Sequence, residues 1–80
     1  MDRPEIERRV KSIFHVLFNC DPETVTADSS PDNVPGWDSL QHLNLVLALE
    51  EEFQTSFDER QVVDMLSVAL IVEIVTEATA

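Results

Sequence analysis

Apolar residues recur at intervals of three and four in three stretches of this 80-residue chain. That spacing places them on one face of a helix and predicts helices over residues 4–18, 39–53 and 68–77. A shorter helix is expected over residues 59–65, with Asp58 as its cap, and Ser67 is the expected cap of the last helix. We therefore predict an all-α fold, a small four-helix bundle of three major helices and one short helix.

A polar stretch rich in proline separates the first two predicted helices over residues 19–38. It predicts a long loop between helices 1 and 2, and loops of this length are usually functional or disordered. We expect Val25 and Val34 to attach this loop to the core. The whole chain, residues 1–80, is expected to form a single domain.

The net charge of the chain is −11, from five basic and sixteen acidic side chains. Residues 1–18 have a net charge of +1 and residues 19–80 of −12. This distribution argues against binding to nucleic acid or to anionic membranes, since both require a basic surface. It favours partners with basic docking surfaces, although it also serves to keep a small domain soluble. With one cysteine and no apolar run of membrane-spanning length, we expect a cytoplasmic protein, and a monomer.

No arrangement of side chains in the sequence indicates an enzyme. A domain of this size hides only about 60% of the surface that its unfolded chain exposes, so a deep active site is not expected. Ser39 and His42 are three residues apart, but no acid has a clear claim to orient the histidine. We therefore expect no catalytic residue and no metal site. His42 is expected to be a half-buried packing residue and Cys20 an idle thiol.

The second predicted helix has two apolar stripes. At 100° per residue, one face holds His42 together with Leu45, Val46, Leu49 and Phe53. The opposite face holds Leu40, Leu43 and Leu47, flanked by Glu50 and Glu51. We expect the face with Phe53 to point inward and the leucine stripe to be an exposed interaction surface. The alternative is that neighbouring helices cover the leucine stripe as well.

A serine lies at the start of this helix, in the sequence Gly36-Trp37-Asp38-Ser39-Leu40. The free N–H groups and the positive dipole of a helix N-terminus favour a phosphate group there. Two interpretations follow from the residues alone. Ser39 is either a plain N-cap or the attachment point of a phosphodiester.

The string Asp38-Ser39-Leu40, followed by Leu45 and by Ala-Leu-Glu-Glu-Glu-Phe over residues 48–53, resembles the acyl carrier protein family. The resemblance extends over nearly the whole chain. It implies that a phosphopantetheinyl transferase attaches 4'-phosphopantetheine from coenzyme A to Ser39, and that Asp38 helps to hold the transferase's magnesium. It implies a partner-binding face formed by Leu40, Leu43, Leu47, Glu50 and Glu51. It also implies an interior able to enclose a short acyl chain, lined by Leu45, Val46, Leu49, Phe53, Val68 and Val72.

The function implied is that of a carrier, which holds acyl intermediates as thioesters on its phosphopantetheine arm. Its partners would be acyl-transferring, adenylating or condensing enzymes of a fatty-acid, polyketide or related biosynthetic pathway. Gln41, Asn44 and Asp58 depart from fatty-acid-type members, and Trp37 with His42 is more similar to discrete carriers of specialised pathways. Two alternatives stay open: a carrier of aminoacyl, peptidyl or other short polar units, and a helical adaptor with no prosthetic group.

Overall fold

The computed structural model describes residues 2–80; Met1, which belongs to the predicted single domain, lies outside the described residues. Within this part of the chain there are four α-helices and no strand. They are α1 (Arg3–Phe18), α2 (Ser39–Phe53), α3 (Glu59–Asp64) and α4 (Val68–Ala78). The prediction of a small helical bundle with a long loop between helices 1 and 2 is confirmed, and every helix ends within one residue of its predicted bounds. None of these helices is both long enough and apolar enough to cross a bilayer.

The core lies where α1 packs against α2 and α4. Its fully buried side chains come from all three major helices and from the residue after α3; the largest are Ile6, Val10, Phe14, Leu45, Leu49, Met65, Ile71 and Val75. Burial of each such side chain stabilises the fold by about 1.5–3 kcal/mol relative to exposure. The short helix α3 begins at a capping box, in which Asp58 and Gln61 exchange side-chain and backbone hydrogen bonds.

The long loop is attached to the core at several points. Val25 and Val34 are both buried, as predicted, and Trp37 at the loop's end is only 4% exposed. The ring of Trp37 meets that of Phe14 edge-on, with centroids 5.2 Å apart. The loop therefore holds the start of α2 against α1.

The loop also completes the N-terminus of α4. The carbonyl groups of Ser29 and Ala27 accept hydrogen bonds from the N–H groups of Val68 (2.9 Å) and Ala69 (3.1 Å). These N–H groups have no partner within a helix, so the loop satisfies donors that would otherwise be free. Ser29 is buried, and its Oγ accepts a 2.9 Å hydrogen bond from the N–H of Thr26.

Candidate functional site

The start of α2 presents an exposed serine. Ser39 is the first residue of the helix, and Asp38 is the N-cap. Asp38 Oδ1 accepts a 2.9 Å hydrogen bond from the N–H of Gln41, and its carbonyl accepts one of 2.8 Å from the N–H of His42. The interpretation of Ser39 as a plain N-cap is therefore wrong, because Asp38 fills that position. The hydroxyl of Ser39 is not needed to cap the helix and is accessible from solvent.

A tight turn delivers the chain to this position. Gly36 has a φ of +89°, in the left-handed region that residues with a Cβ rarely adopt. The N–H of Trp37 donates to the carbonyl of Val34 (3.2 Å), and the N–H of Asp38 donates to that of Gly36 (3.0 Å). With Trp37 buried on one side of the turn, Asp38 and Ser39 are directed to the surface.

His42 connects the loop, α2 and α3. The Nε1–H of Trp37 donates to His42 Nδ1 over 3.0 Å, so Nδ1 is the acceptor nitrogen of the imidazole. Its Nε2–H then donates to the carbonyl of Val62, 2.8 Å away. Both ring nitrogens are occupied, so the geometry gives His42 no nitrogen with which to activate Ser39 as a nucleophile. The predicted half-burial of His42 is confirmed, whereas these two hydrogen bonds were not predicted from the sequence.

A groove of about 360 Å³ opens directly beside Ser39. It is lined by residues of the loop, α2 and α3 and by two residues after α3: Pro31, Trp37, Asp38, Ser39, His42, Val62, Val63, Met65 and Leu66. A larger groove of about 510 Å³ lies between α1 and α2, but Ser39 does not line it. The exposed hydroxyl, the helix N-terminus and the adjacent apolar groove together fit a phosphodiester with a flexible, partly apolar extension.

The two predicted faces of α2 differ in burial as expected. Leu40, Leu43 and Leu47 are exposed by 70%, 57% and 62%. The alternative that neighbouring helices cover this stripe is therefore wrong. The opposite residues, Leu45, Val46, Leu49 and Phe53, are buried and form one cluster with Val68 and Val72 of α4.

The two acids predicted to flank the leucine stripe have different surroundings. Glu51 is exposed, whereas Glu50 is half-buried and its Oε2 accepts a 2.9 Å hydrogen bond from the N–H of Phe57. Glu50 thus also holds the connection between α2 and α3, a role that was not predicted from the sequence. The neighbouring Glu52 pairs with Arg9 of α1 over 3.1 Å.

Comparisons with known proteins decide the family. No protein-family model matches the chain. An acyl carrier protein of Caulobacter vibrioides strain NA1000 / CB15N is 36% identical over 76 residues, which cover 95% of this chain and 97% of that protein. The acyl carrier protein of Caulobacter vibrioides strain ATCC 19089 / CIP 103742 / CB 15 gives the same values.

The chain belongs to the acyl carrier protein family. It is also 32% identical over 75 residues to acyl carrier protein 2, mitochondrial, of Arabidopsis thaliana. That match covers 94% of this chain and 60% of the Arabidopsis protein, so the chain spans little more than half of that relative's length. Acyl carrier proteins are carriers, generally hold phosphopantetheine and interact with biosynthetic enzymes. Because one relative is named as mitochondrial, a cytoplasmic location stays a prediction.

Proposed function

We propose that residues 1–80 form a single acyl-carrier domain whose Ser39 is the attachment site of 4'-phosphopantetheine. The observation that supports this most strongly is the exposed Ser39 at the N-terminus of α2, next to an N-cap supplied by another residue. In the loading reaction, the Ser39 hydroxyl loses its proton and its oxygen forms a phosphodiester bond, as the pyrophosphate bond of coenzyme A breaks and adenosine 3',5'-bisphosphate leaves. A phosphopantetheinyl transferase supplies the base. When bound, the arm provides a thiol that holds acyl groups as thioesters.

Around the attachment point, the helix N-terminus and Asp38 would have separate roles. The free N–H groups of the first turn and the positive end of the helix dipole favour the anionic phosphodiester on Ser39. We propose that the exposed carboxylate of Asp38 serves the transferase by helping to hold its magnesium. The same carboxylate caps α2 through the 2.9 Å hydrogen bond from Gln41, so its position is fixed before the transferase arrives.

For partner recognition, we propose a docking face formed by the leucine stripe with Glu50 and Glu51. Three exposed leucines offer apolar contact, and Glu51 is free to meet a basic surface. Such a face gives rapid, salt-sensitive association without a large buried area, which suits a carrier that must leave after each step. The partners would be acyl-transferring, adenylating or condensing enzymes of a fatty-acid, polyketide or related pathway.

The interior that the resemblance to acyl carrier proteins implies for an acyl chain consists of Leu45, Val46, Leu49, Phe53, Val68 and Val72. These side chains are all buried in one cluster. They would therefore admit a chain only by moving apart, since protein interiors are close-packed. We propose that the cargo is short.

We propose that the carrier is a monomer that acts in the cytoplasm and binds neither nucleic acid nor membranes. Its net charge of −11 makes copies of the chain repel one another and opposes contact with phosphate-rich surfaces. It would not be a catalyst itself, because both nitrogens of His42 are engaged away from Ser39.

Intact-mass measurement after co-expression with a promiscuous phosphopantetheinyl transferase tests the proposal. We expect the protein to gain the mass of one phosphopantetheine group and the Ser39→Ala variant to gain nothing. Ser12→Ala, which changes an exposed serine of α1, is the matched control and should load normally. If the unaltered protein gains no mass, the carrier function is rejected and a helical adaptor that uses the leucine stripe becomes the better account.

A further inference from the structure

The groove beside Ser39 has a floor that belongs to the core. Trp37 and Met65 line it, and both are buried members of the core cluster. Its outer wall is formed by Val63 and Leu66, which are exposed. A group held on Ser39 would therefore meet apolar surface outside the bundle before it reached the interior.

The contact that separates the groove from the interior is the pair of hydrogen bonds to His42. From α2, the imidazole reaches Trp37 in the loop (3.0 Å) and the carbonyl of Val62 on α3 (2.8 Å). All three residues line the groove, and Met65 behind them packs with the interior side chains. For an acyl chain to pass from Ser39 into the interior, α3 must move away from α2 where His42 joins them.

This connection resists opening. Separating α3 from α2 would leave the Nε2–H of His42 without its acceptor in partly buried surroundings, and an unpaired donor of this kind is costly. The side chains behind it are close-packed and would lose contacts as well.

We propose that the Trp37–His42–Val62 hydrogen bonds form a gate that keeps acyl cargo in the groove beside Ser39 and out of the interior. This inference rests on the proposed function and deepens it. His42 is a positioning residue that determines which cargo the carrier accommodates. Short acyl groups lie against Val63 and Leu66, where partner enzymes reach them, and longer chains gain no burial inside the bundle.

The test compares thermal unfolding across a series of loaded forms. A transferase loads the protein from acetyl-, butanoyl-, hexanoyl- and octanoyl-coenzyme A, and intact mass confirms each form. The same series is prepared for His42→Ala and for Trp37→Phe, which removes the donor to His42 but keeps an aromatic ring. Gln41→Ala is the control, because Gln41 is on the same turn of α2 and does not line the groove. Comparing octanoyl with acetyl forms within each variant cancels any general loss of stability.

For the unaltered protein and Gln41→Ala, we expect octanoyl and acetyl forms to unfold within about 2 °C of each other. In His42→Ala and Trp37→Phe, the octanoyl form should unfold at least about 6 °C above the acetyl form, since each buried methylene is worth about 3–6 °C in a domain of this size. Emission from Trp37, the single tryptophan, should change between the unacylated and octanoyl forms of the unaltered protein, because the acyl tail lies beside it.

Three results would overturn the gate. A rise of 6 °C or more in the unaltered protein means that the interior is already open. If the unfolding temperature does not change with acyl-chain length in any variant, His42 does not control entry to the interior. If the emission of Trp37 is unchanged, the acyl cargo lies elsewhere. If His42→Ala does not fold, Trp37→Phe decides the question. If the arm does not attach to any variant, the proposed function is rejected and the gate is rejected with it. If the arm attaches but the unfolding temperatures of the acyl forms do not follow the expected pattern, only the gate is rejected.

Discussion

At the scale of single residues, Asp38 and Ser39 have separate roles at the start of α2: Asp38 caps the helix, and Ser39 presents a hydroxyl group to solvent. Asp38 accepts the hydrogen bond that caps α2, and Ser39 is the exposed first residue of the helix. Modification of Ser39 therefore does not remove a bond on which the helix depends. The charge of Asp38 can also be tested apart from its capping role, because asparagine caps helices about as well as aspartate.

We predict opposite behaviour for two substitutions of Asp38. Asp38→Ala should lower the free energy of unfolding by about 1 kcal/mol, because the N–H of Gln41 loses its acceptor. Asp38→Asn should keep stability within a few tenths of a kcal/mol but slow loading by the transferase. Urea denaturation and loading rates measure the two effects. If Asp38→Asn loads at the unaltered rate, its carboxylate has no role in the transferase complex.

At the scale of elements, the two faces of α2 differ in burial. Its inward face is buried against α1 and α4, whereas the leucine stripe is exposed and lies on the helix that begins at Ser39. Docking of a partner through this stripe would place the partner beside any group attached to Ser39.

The two faces of α2 should respond differently to the loss of one leucine. Leu49→Ala removes a fully buried side chain and should cost about 2–5 kcal/mol of unfolding free energy, whereas Leu47→Ala should cost less than about 0.5 kcal/mol. Leu47→Glu should fold normally and weaken binding to a partner enzyme about tenfold. Denaturation and titration with a cognate enzyme measure these effects. Unfolding of Leu47→Glu would show that the stripe is part of the core.

The loop between α1 and α2 makes a separate contribution to stability. Ser29→Ala should lower the free energy of unfolding by about 1 kcal/mol, because the N–H of Thr26 loses a buried acceptor. Ser30→Ala is the control, since its Oγ accepts only an exposed hydrogen bond of 3.3 Å from Asp32, and its effect should be below about 0.5 kcal/mol. Equal effects in chemical denaturation would contradict this account of how the loop is attached.

At the scale of the whole molecule, charge opposes the compact state. The arginines of α1 form ion pairs with Glu5, Glu7 and Glu52, but the net charge of residues 19–80 remains −12. Exposed ion pairs contribute little, so self-repulsion among the acids outweighs them. The same field that would attract the proposed basic partners therefore reduces stability.

We predict that the unloaded protein unfolds at a higher temperature as salt is added, because counter-ions screen the repulsion between carboxylates. Magnesium chloride should raise the unfolding temperature more than sodium chloride at equal ionic strength. Differential scanning calorimetry at a fixed pH measures both. An unfolding temperature that responds to neither salt would contradict the claim that self-repulsion matters here.

Features set by local pattern could be predicted from the sequence, and contacts between distant segments could not. The helices, the burial of the Phe53 face and the exposure of the leucine stripe all follow from spacing along the chain. The hydrogen bond from His42 to Val62 joins residues twenty apart, so it depends on how α3 packs on α2. The hydrogen bonds from the N–H of Val68 to Ser29 and from the N–H of Phe57 to Glu50 depend likewise on the folded arrangement. The bond from Trp37 to His42 had a local signal, a tryptophan five residues before a histidine.

The measurement that tests the central claim most directly is localisation of the arm by fragmentation mass spectrometry. Cleavage after Glu23 and Glu50 releases a fragment of residues 24–50 that contains Ser39 and four competing hydroxyl residues, Thr24, Thr26, Ser29 and Ser30. We predict that after loading this fragment has one phosphopantetheine group and that it lies on Ser39. An unmodified fragment, or an arm on any of the other four hydroxyls, would contradict the account.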